Sequence, residues 1–229
     1  MVLPTYNEKE NIEIILPRIL KQDRRLHVLV VDDNSPDETA KSVRKIQRHT
    51  SQRVHLKVRH ERGRGSAVLD GLQQAVALGA TSVLEMDADF SHNPDDIPRL
   101  LKEIEKADVV VGSRFVPGGK IEQRGFTRNF LSDCINAVIR LILGLKVRDA
   151  SSGFRLFRKE VIQKLDFSRI ISKNYSLCPE LLYRSHKLGF QIKEIPITFV
   201  NRRAGKSKAT LKIALDYLVT VLRIRFSTK

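Results

Sequence analysis

The feature that most restricts what this chain can fold into is its regular alternation of short apolar runs with helix-patterned stretches. "LHVLVVDD" reads as a buried strand from its β-branched content. "SPDETAKSVRKIQ" follows as a helix, with Ser35 as cap, Pro36 at the first position and Asp37 and Glu38 in the first turn. "VHLKVR" is then a strand, "GSAVLDGLQQAVALG" a helix stopped by Gly79, "SVLEMDA" a strand, "DDIPRLLKEIEK" a helix and "DVVVGSR" a strand. Ahead of them, "MVLP" is the end of a strand and "NIEIILPRIL" a helix with Ile12, Ile15, Leu16 and Ile19 on one face, where Pro17 is a candidate kink. Repeated β-α-β units imply an α/β chain: a mainly parallel sheet with helices on both faces. Ligands of such sheets bind outside the carboxyl ends of the strands, so the residues just after each strand carry the functional question.

The second half changes character. "TRNFLSDCINAVIRLILG" is a helix, "SGFRLFR" a short extended piece, "CPELLYRSHKLG" a helix stopped by Gly189, and "FQIKEIPITFV" a strand. A basic loop, "NRRAGKSKA", leads into "TLKIALDYLVTVLRIRF", an amphipathic helix with Leu211, Leu215, Leu218 and Leu222 on one stripe. No Pro-, Gly- or Ser-rich linker divides the halves and no internal repeat is present, so the 229 residues read as one domain.

Acid collects where strands end. Glu8 follows the first strand, Asp32 and Asp33 close the second, and Asp87 and Asp89 close the fourth, within the stretch "LEMDADFSHNPDD". Asp33 and Asp95 also fit as caps of the helices that follow. The Asp87-Ala88-Asp89 pair needs more: at an effective dielectric of 20, like charges 4 Å apart cost about 4 kcal/mol, and a hard divalent cation reverses that sign. The chain as a whole carries a formal charge of +15, which implies an anionic partner. Cys134 and Cys178 give neither a disulfide framework nor a metal spacing, which points to a reducing compartment. "MVLPTYNEKEN" lacks the basic region and apolar run of a signal peptide, and no run reaches the ~18 apolar residues of a membrane span.

The segments "VLPTYNEKENI", "VVDDNSPDET", "MDADFSHNP", "GSRFVPGG", "SSGFRLFRKEV" and "EIPITFVNRRAGKSK" occur in this order, from Val2 to about Lys208. Together they resemble the family-2 glycosyltransferases of the GT-A fold, of the dolichol- or polyprenol-phosphate mannose synthase type. The resemblance implies an enzyme that moves mannose from GDP-mannose to a polyprenyl or dolichyl phosphate, inverting the sugar, with Mg²⁺ or Mn²⁺. Pro4, Tyr6 and Glu8 would line the nucleoside pocket and Asp32 would hold base or ribose, with Asp33, Ser35 and Asp37 in the same donor segment. Asp87 and Asp89 would bind the metal. Arg114 would reach the acceptor phosphate, with Arg128 and Ser132 as companions. Arg202 and Lys208 would close on the donor diphosphate and the acceptor phosphate. Asp89, Arg114 and Arg202 are the expected catalytic group. Residues 1–115 would form the nucleotide-sugar half, 116–208 the acceptor half, and 209–229 a basic amphipathic helix.

This inventory suits the chemistry. A phosphate monoester has its second pKa near ~6 and is largely a dianion at neutral pH, so it needs little from a general base. Leaving diphosphate needs cations, and arginine grips phosphate with a planar fork. Four positions depart from the family pattern or lack a clear task. Arg64 stands between Gly63 and Gly65 where the family carries "GLG", either touching donor phosphate or facing solvent. Ser91 occupies the place of a third metal ligand and is a weaker one. His92 reads as structural. Glu180 either orients an arginine or is a plain first-turn acid.

An isoprenoid acceptor places the work at the cytoplasmic face of a membrane, peripherally or as the catalytic domain of an anchored protein, with an anchoring subunit or a removed membrane segment as further partners. The last helix, preceded by Arg202, Arg203, Lys206, Lys208 and Lys212 and followed by Arg223, Arg225 and Lys229, fits either a lipid interface or the protein core. Another donor, such as UDP-glucose, keeps the same fold and acceptor. A nucleic-acid-binding module fits the charge but not the residues: no zinc spacing, no aromatic RNA-binding strand motif, no Trp, aromatics at 6%, and an acidic rim. No nucleic-acid partner is expected.

Overall fold

The computed structural model describes residues 1–50, 52–122, 126–172, 174, 176–200 and 211–227, the side chains of 126–131 and 211–216 excepted. Arg202 and Lys208 lie outside the described residues. Nine strands and eight α-helices are present among them: β1 Val2–Thr5, α1 Lys9–Gln22, β2 Val28–Asp32, α2 Thr39–Gln47, β3 Val54–Val58, α3 Arg64–Ala77, β4 Ser82–Glu85, α4 Ile97–Glu103, β5 Val109–Ser113, β6 Lys120–Glu122, α5 Phe126–Leu143, β7 Arg155–Arg158, α6 Lys159–Lys164, α7 Leu177–Lys187, β8 Ile192–Pro196, β9 Thr198–Val200 and α8 Leu211–Ser227.

The main sheet has the order β3-β2-β1-β4-β7-β5-β8, and β6 pairs with β9 in a separate two-stranded sheet. All its pairings are parallel except those of β7, which runs antiparallel to both β4 and β5. The α/β class and the mainly parallel sheet therefore stand. Strand order reverses at β1, with β2 and β3 on one side and β4 on the other, which opens a crevice at the carboxyl ends.

Alternation along the strands splits the core in two. Val2, Leu29, Val31, Val83, Val109, Val111 and Phe157 face one layer with residues of α3, α5, α6, α7 and α8. Leu3, Val28, Val30, Leu84, Val110 and Leu156 face the other with α1 and α4. Successive side chains of a strand point to opposite faces, so a strand buried on both faces reads as an unbroken apolar run. α1 buries Ile12, Ile15, Leu16, Ile19 and Leu20, each worth about 1.5–3 kcal/mol, and carries Pro17 inside it. Gly71 lets α3 lie close on β1, because a Cβ there would collide with the Val2 side chain.

Two expectations need correction and two are refined. α2 begins at Thr39, not near Ser35: its preceding residue Glu38 has φ 67°, while Ser35 and Asp37 are spent on contacts with β2 and with the turn between β1 and α1. "FQIKEIPITFV" is not one strand: β8 joins the main sheet and β9 the small one. "SGFRLFR" is extended as expected, and its strand β7 is the antiparallel one in a sheet otherwise parallel. Among the described side chains of α8, Val221 and Ile224 are buried, whereas Leu222 is exposed together with Val219 and Phe226. Leu222 of the leucine stripe thus does not face the core, and Leu211 and Leu215 lie outside the described side chains. α8 lies on α5, which itself exposes Val138 and Leu141. Among the described residues, no helix is long and apolar enough to cross a membrane.

Candidate active site

The carboxyl ends of β1, β2 and β3 form one wall of the crevice. Asp32, fully buried, accepts from Thr5 Oγ1 at 2.9 Å, Ser35 N at 2.9 Å and Ser35 Oγ at 2.6 Å. Ser35 Oγ in turn accepts from Asn7 N at 3.0 Å, where the chain turns through φ 60°. Asp37 accepts from Lys9 N at 3.0 Å and from Thr39 N and Oγ1 at 3.0 and 2.5 Å. Burial pushes the Asp37 carboxyl up, but these bonds outweigh it and leave it below the usual range. Asp33 does not cap α2. It accepts from Arg59 Nη1 at 3.1 Å and from Gly63 N at 2.8 Å, so it ties β2 to the start of α3. Burial raises its carboxyl, against the pull of Gly63 N and Arg59. Glu8 is half-buried and accepts from Asn11 Nδ2 at 2.6 Å. Of the donor-side candidates among the described residues, Tyr6 is the exposed one, with Arg62 over its ring at 4.7 Å, while Pro4, Asp32 and Asp33 shape the wall from within.

The aspartate pair lies just beyond β4. Asp89 Oδ1 accepts from Ser91 N at 3.1 Å, which folds the loop back at Phe90, a non-glycine residue at φ 61°. Ser91 is therefore a turn residue. Its carbonyl accepts from Val200 N at 3.1 Å, which fixes the end of β9 beside the pair. His92 is 3% exposed, stacked on Phe154 at 5.2 Å and edge-on to Phe199 at 5.5 Å. Burial holds its pKa below the usual histidine range, against Asp87 and Asp89, so the ring is neutral at neutral pH, and its two aromatic contacts give it a packing task. Asp95 and Asp96 leave the site: they accept from Arg18 and Gln22, and from Arg99, on the far side of the loop.

Arg64 opens α3 and turns inward, so it does not face solvent. Its Nη2 and Nε reach Asp87 Oδ1 at 2.7 and 2.9 Å, and Nη2 lies 3.2 Å from Glu85 Oε1. Glu85 Oε2 pairs with Arg155 across the β4–β7 register, both side chains fully buried, and Arg155 Nη1 donates to Cys178 O at 2.9 Å. Gly153 keeps this space open, since a Cβ there would stand 2.6 Å from Arg64 Nη2 and 3.3 Å from Asp87 Oδ2. Asp87 and Asp89 fit a divalent cation by the chemistry of their donors: both are hard oxygen ligands just beyond β4, and Asp87 already pairs with a cation, Arg64. Among the described residues, no cluster of three or more His, Cys, Asp or Glu forms a metal cage. The remaining ligands would be phosphate and water, as Mg²⁺ prefers.

On the other side of the crevice, Arg114 is held by Asp149, a residue the sequence reading missed. Nε and Nη2 reach Asp149 at 2.7 and 2.6 Å, and Nη2 reaches Ser151 Oγ at 2.6 Å. Burial alone would weaken the Arg114 charge, and Asp149 more than restores it. Glu194 accepts from Arg148 N and Asp149 N at 2.7 and 2.9 Å and so fixes this corner to β8. Asn136 Nδ2 donates to Ser151 Oγ at 3.1 Å and to Ser132 O at 3.0 Å, which brings Ser132 into the Arg114 network. Arg128 is on α5, but its side chain lies outside the described ones. Glu180 is fully buried, pairs with Arg184 at 2.7 Å and accepts from Ile171 N and Ser172 N, so it orients an arginine away from the crevice. Phe199 joins the two sides: His92 touches its ring, and Arg114 lies over it at 5.2 Å.

The model of glycosyl transferase family 2 matches residues 1–166. A polyprenol monophosphomannose synthase of Mycolicibacterium smegmatis is 39% identical over 210 residues, 91% of this chain and 79% of that protein. An undecaprenyl-phosphate mannosyltransferase of Micrococcus luteus is 36% identical over 224 residues, 97% and 91% of the two chains. Among solved structures, glucosyl-3-phosphoglycerate synthase from Mycobacterium tuberculosis in complex with Mn²⁺, UDP-glucose and phosphoglyceric acid superposes with a TM-score of 0.71 at 20% identity, covering 98% of this chain and 78% of that one. The same enzyme with Mg²⁺ and UDP gives 0.68 at 20% identity, over 97% and 77%. At that identity the likeness carries the fold, which is GT-A.

Proposed function

The chain belongs to glycosyl transferase family 2 and is a glycosyltransferase, and from that premise we propose that it transfers mannose from GDP-mannose to a polyprenyl (dolichyl) phosphate with inversion at the sugar. The observation that carries the reading is that the loop of the aspartate pair and Arg114 meet at one ring. His92, three residues after Asp89, stands edge-on to Phe199, and Arg114 lies over the same ring. A metal-bound diphosphate and a phosphate acceptor thus have neighbouring holders. Both relatives named above carry a lipid-phosphate mannosyl activity in their names, which favours this acceptor and sugar.

In this mechanism Asp87 and Asp89 would hold Mg²⁺ or Mn²⁺, the ions found with the solved GT-A neighbours. The ion supplies Lewis-acid stabilisation of the departing diphosphate. Tyr6 and the wall built on Asp32 and Asp33 seat the nucleoside. Arg114, with Ser132 and Arg128, orients the acceptor phosphate, whose dianion attacks the sugar carbon without a protein base. Arg202 and Lys208, which lie outside the described residues, follow β9 in sequence and in this reading neutralise the donor diphosphate and the acceptor phosphate. The basic surface and the exposed apolar residues of α5 and α8 favour work at a membrane surface, on its cytoplasmic face.

The test is incubation with Mn²⁺, a short polyprenyl phosphate and a panel of nucleotide sugars, with lipid products identified by mass. A hexose added to the lipid from GDP-mannose alone is expected. A lipid hexose formed from UDP-glucose instead overturns the donor, and no lipid product with any sugar overturns the acceptor. Arg114→Ala is expected to raise the acceptor KM by about 10–100-fold, the range for losing a charge-assisted hydrogen-bonded pair. Its nucleotide dissociation constant should stay within about twofold. Equal losses for both ligands in titrations would remove Arg114 from the acceptor side.

A further inference from the structure

We propose that Arg64 is a resident counter-cation that competes with the divalent ion for Asp87, and that the diphosphate of a bound nucleotide relieves the competition by drawing the guanidinium off that carboxylate. The inference rests on the reading of Asp87 and Asp89 as the metal pair. Its own ground is geometric. Two nitrogens of Arg64 converge on one oxygen of Asp87, at 2.7 and 2.9 Å. A metal on the same oxygen would bring two positive charges within a few ångströms, and each weakens the binding of the other.

The side chain is also placed to move. Arg64 is the first residue of α3, between Gly63 at φ 152° and Gly65. Its guanidinium rests against the bare backbone of Gly153, so no side chain blocks it there. Glu85 holds it from behind at 3.2 Å and is itself held by Arg155, so leaving Asp87 does not strand the charge. A diphosphate at the start of α3 offers what Asp87 offers, paired oxygens for a planar fork, at a helix end that favours anions. The free enzyme then keeps its aspartates neutralised and holds metal weakly, and the nucleotide converts the site into a metal site while gaining an arginine.

The experiment titrates Mn²⁺, read by the paramagnetic resonance of the free ion, into the parent protein, Arg64→Gln and Arg64→Lys, first alone and then with GDP. Without nucleotide, Arg64→Gln should bind Mn²⁺ about tenfold more tightly than the parent, a difference of about 1.4 kcal/mol. With GDP the gap should fall below about threefold, because Arg64 has left Asp87 in the parent. Arg64→Lys keeps a charge for Glu85 but cannot fork, so it should tighten Mn²⁺ about threefold, and it replaces the glutamine variant if that variant loses its fold. Parent-like Mn²⁺ affinity in the folded variants without nucleotide overturns the inference alone. If parent and variants retain no more Mn²⁺ with GDP than an Asp87→Asn, Asp89→Asn double variant, the metal reading falls and the inference falls with it.

Discussion

Asp89→Asn should lower sugar transfer by at least about 10³-fold at saturating Mn²⁺, the scale of losing a charge that stabilises a departing anion. The fold should not notice. Asp89 Oδ1 accepts one backbone hydrogen bond, from Ser91 N at 3.1 Å, and an asparagine carbonyl in the same place accepts it equally well. What the variant loses is half of the charge that pairs with the cation. Its thermal midpoint should stay within about 2–4 °C of the parent, the shift expected for no more than about 1 kcal/mol in a chain of this size. The measurement is lipid product by mass, beside a melting curve. Turnover within about tenfold of the parent would show that the cation does not depend on Asp89.

Glu85→Ala should produce the largest loss of stability, about 3–5 kcal/mol, because it breaks a fully buried ion pair and leaves Arg155 without its anion. The cost is desolvation: Arg155 is 0% exposed and would keep a hydrogen bond to the neutral Cys178 O in place of a carboxylate. The pair also sits in direct register across β4 and β7. Slipping β7 by one residue would point Arg155 to the opposite face, so the pair fixes how this strand enters the sheet. A Glu85→Leu, Arg155→Met double variant removes both charges and should recover more than half of the loss. Urea unfolding of the single and double variants decides it. A Glu85→Ala loss below about 1 kcal/mol would mean that water reaches the pair.

Period and position made the first half of the chain legible. Its strands and helices announce themselves through apolar spacing, and a parallel sheet then sends Asp32, Asp33, Asp87 and Asp89 to one rim without any knowledge of packing. The assignments that failed depend on partners far along the chain. Ser35 has the residue type of a helix cap, yet its hydrogen bonds go to Asp32 and Asn7, and Asp37 divides its carboxylate between Lys9 N and Thr39 at the start of α2. Asp149 and Ser151 sit in a stretch without periodicity, and only the fold brings them to Arg114. The leucines of α8 form an amphipathic pattern, but toward the end of the helix Val221 and Ile224 meet the core and Leu222 does not. Arg64 was the hardest case. As a cation in a glycine-rich turn it suggested phosphate or solvent, and its carboxylate partners on β4 and just beyond it are 21 and 23 residues away in sequence.

The antiparallel strand β7 also governs the order in which this chain can assemble. β1 to β4 pair among themselves, so a growing chain can build that half of the sheet as it emerges. β5 has no neighbour among them: its partners are β7 and β8. Until residues 155–158 are made, β5 is an orphan and β4 presents an open edge with a buried-type carboxylate, Glu85, still waiting for its arginine. A ribosome stalled between β5 and β7 would therefore hold a half-sheet whose exposed flank invites pairing with another chain. Once Arg155 arrives, one strand closes that flank, seats the ion pair and joins the two halves of the enzyme in a single step.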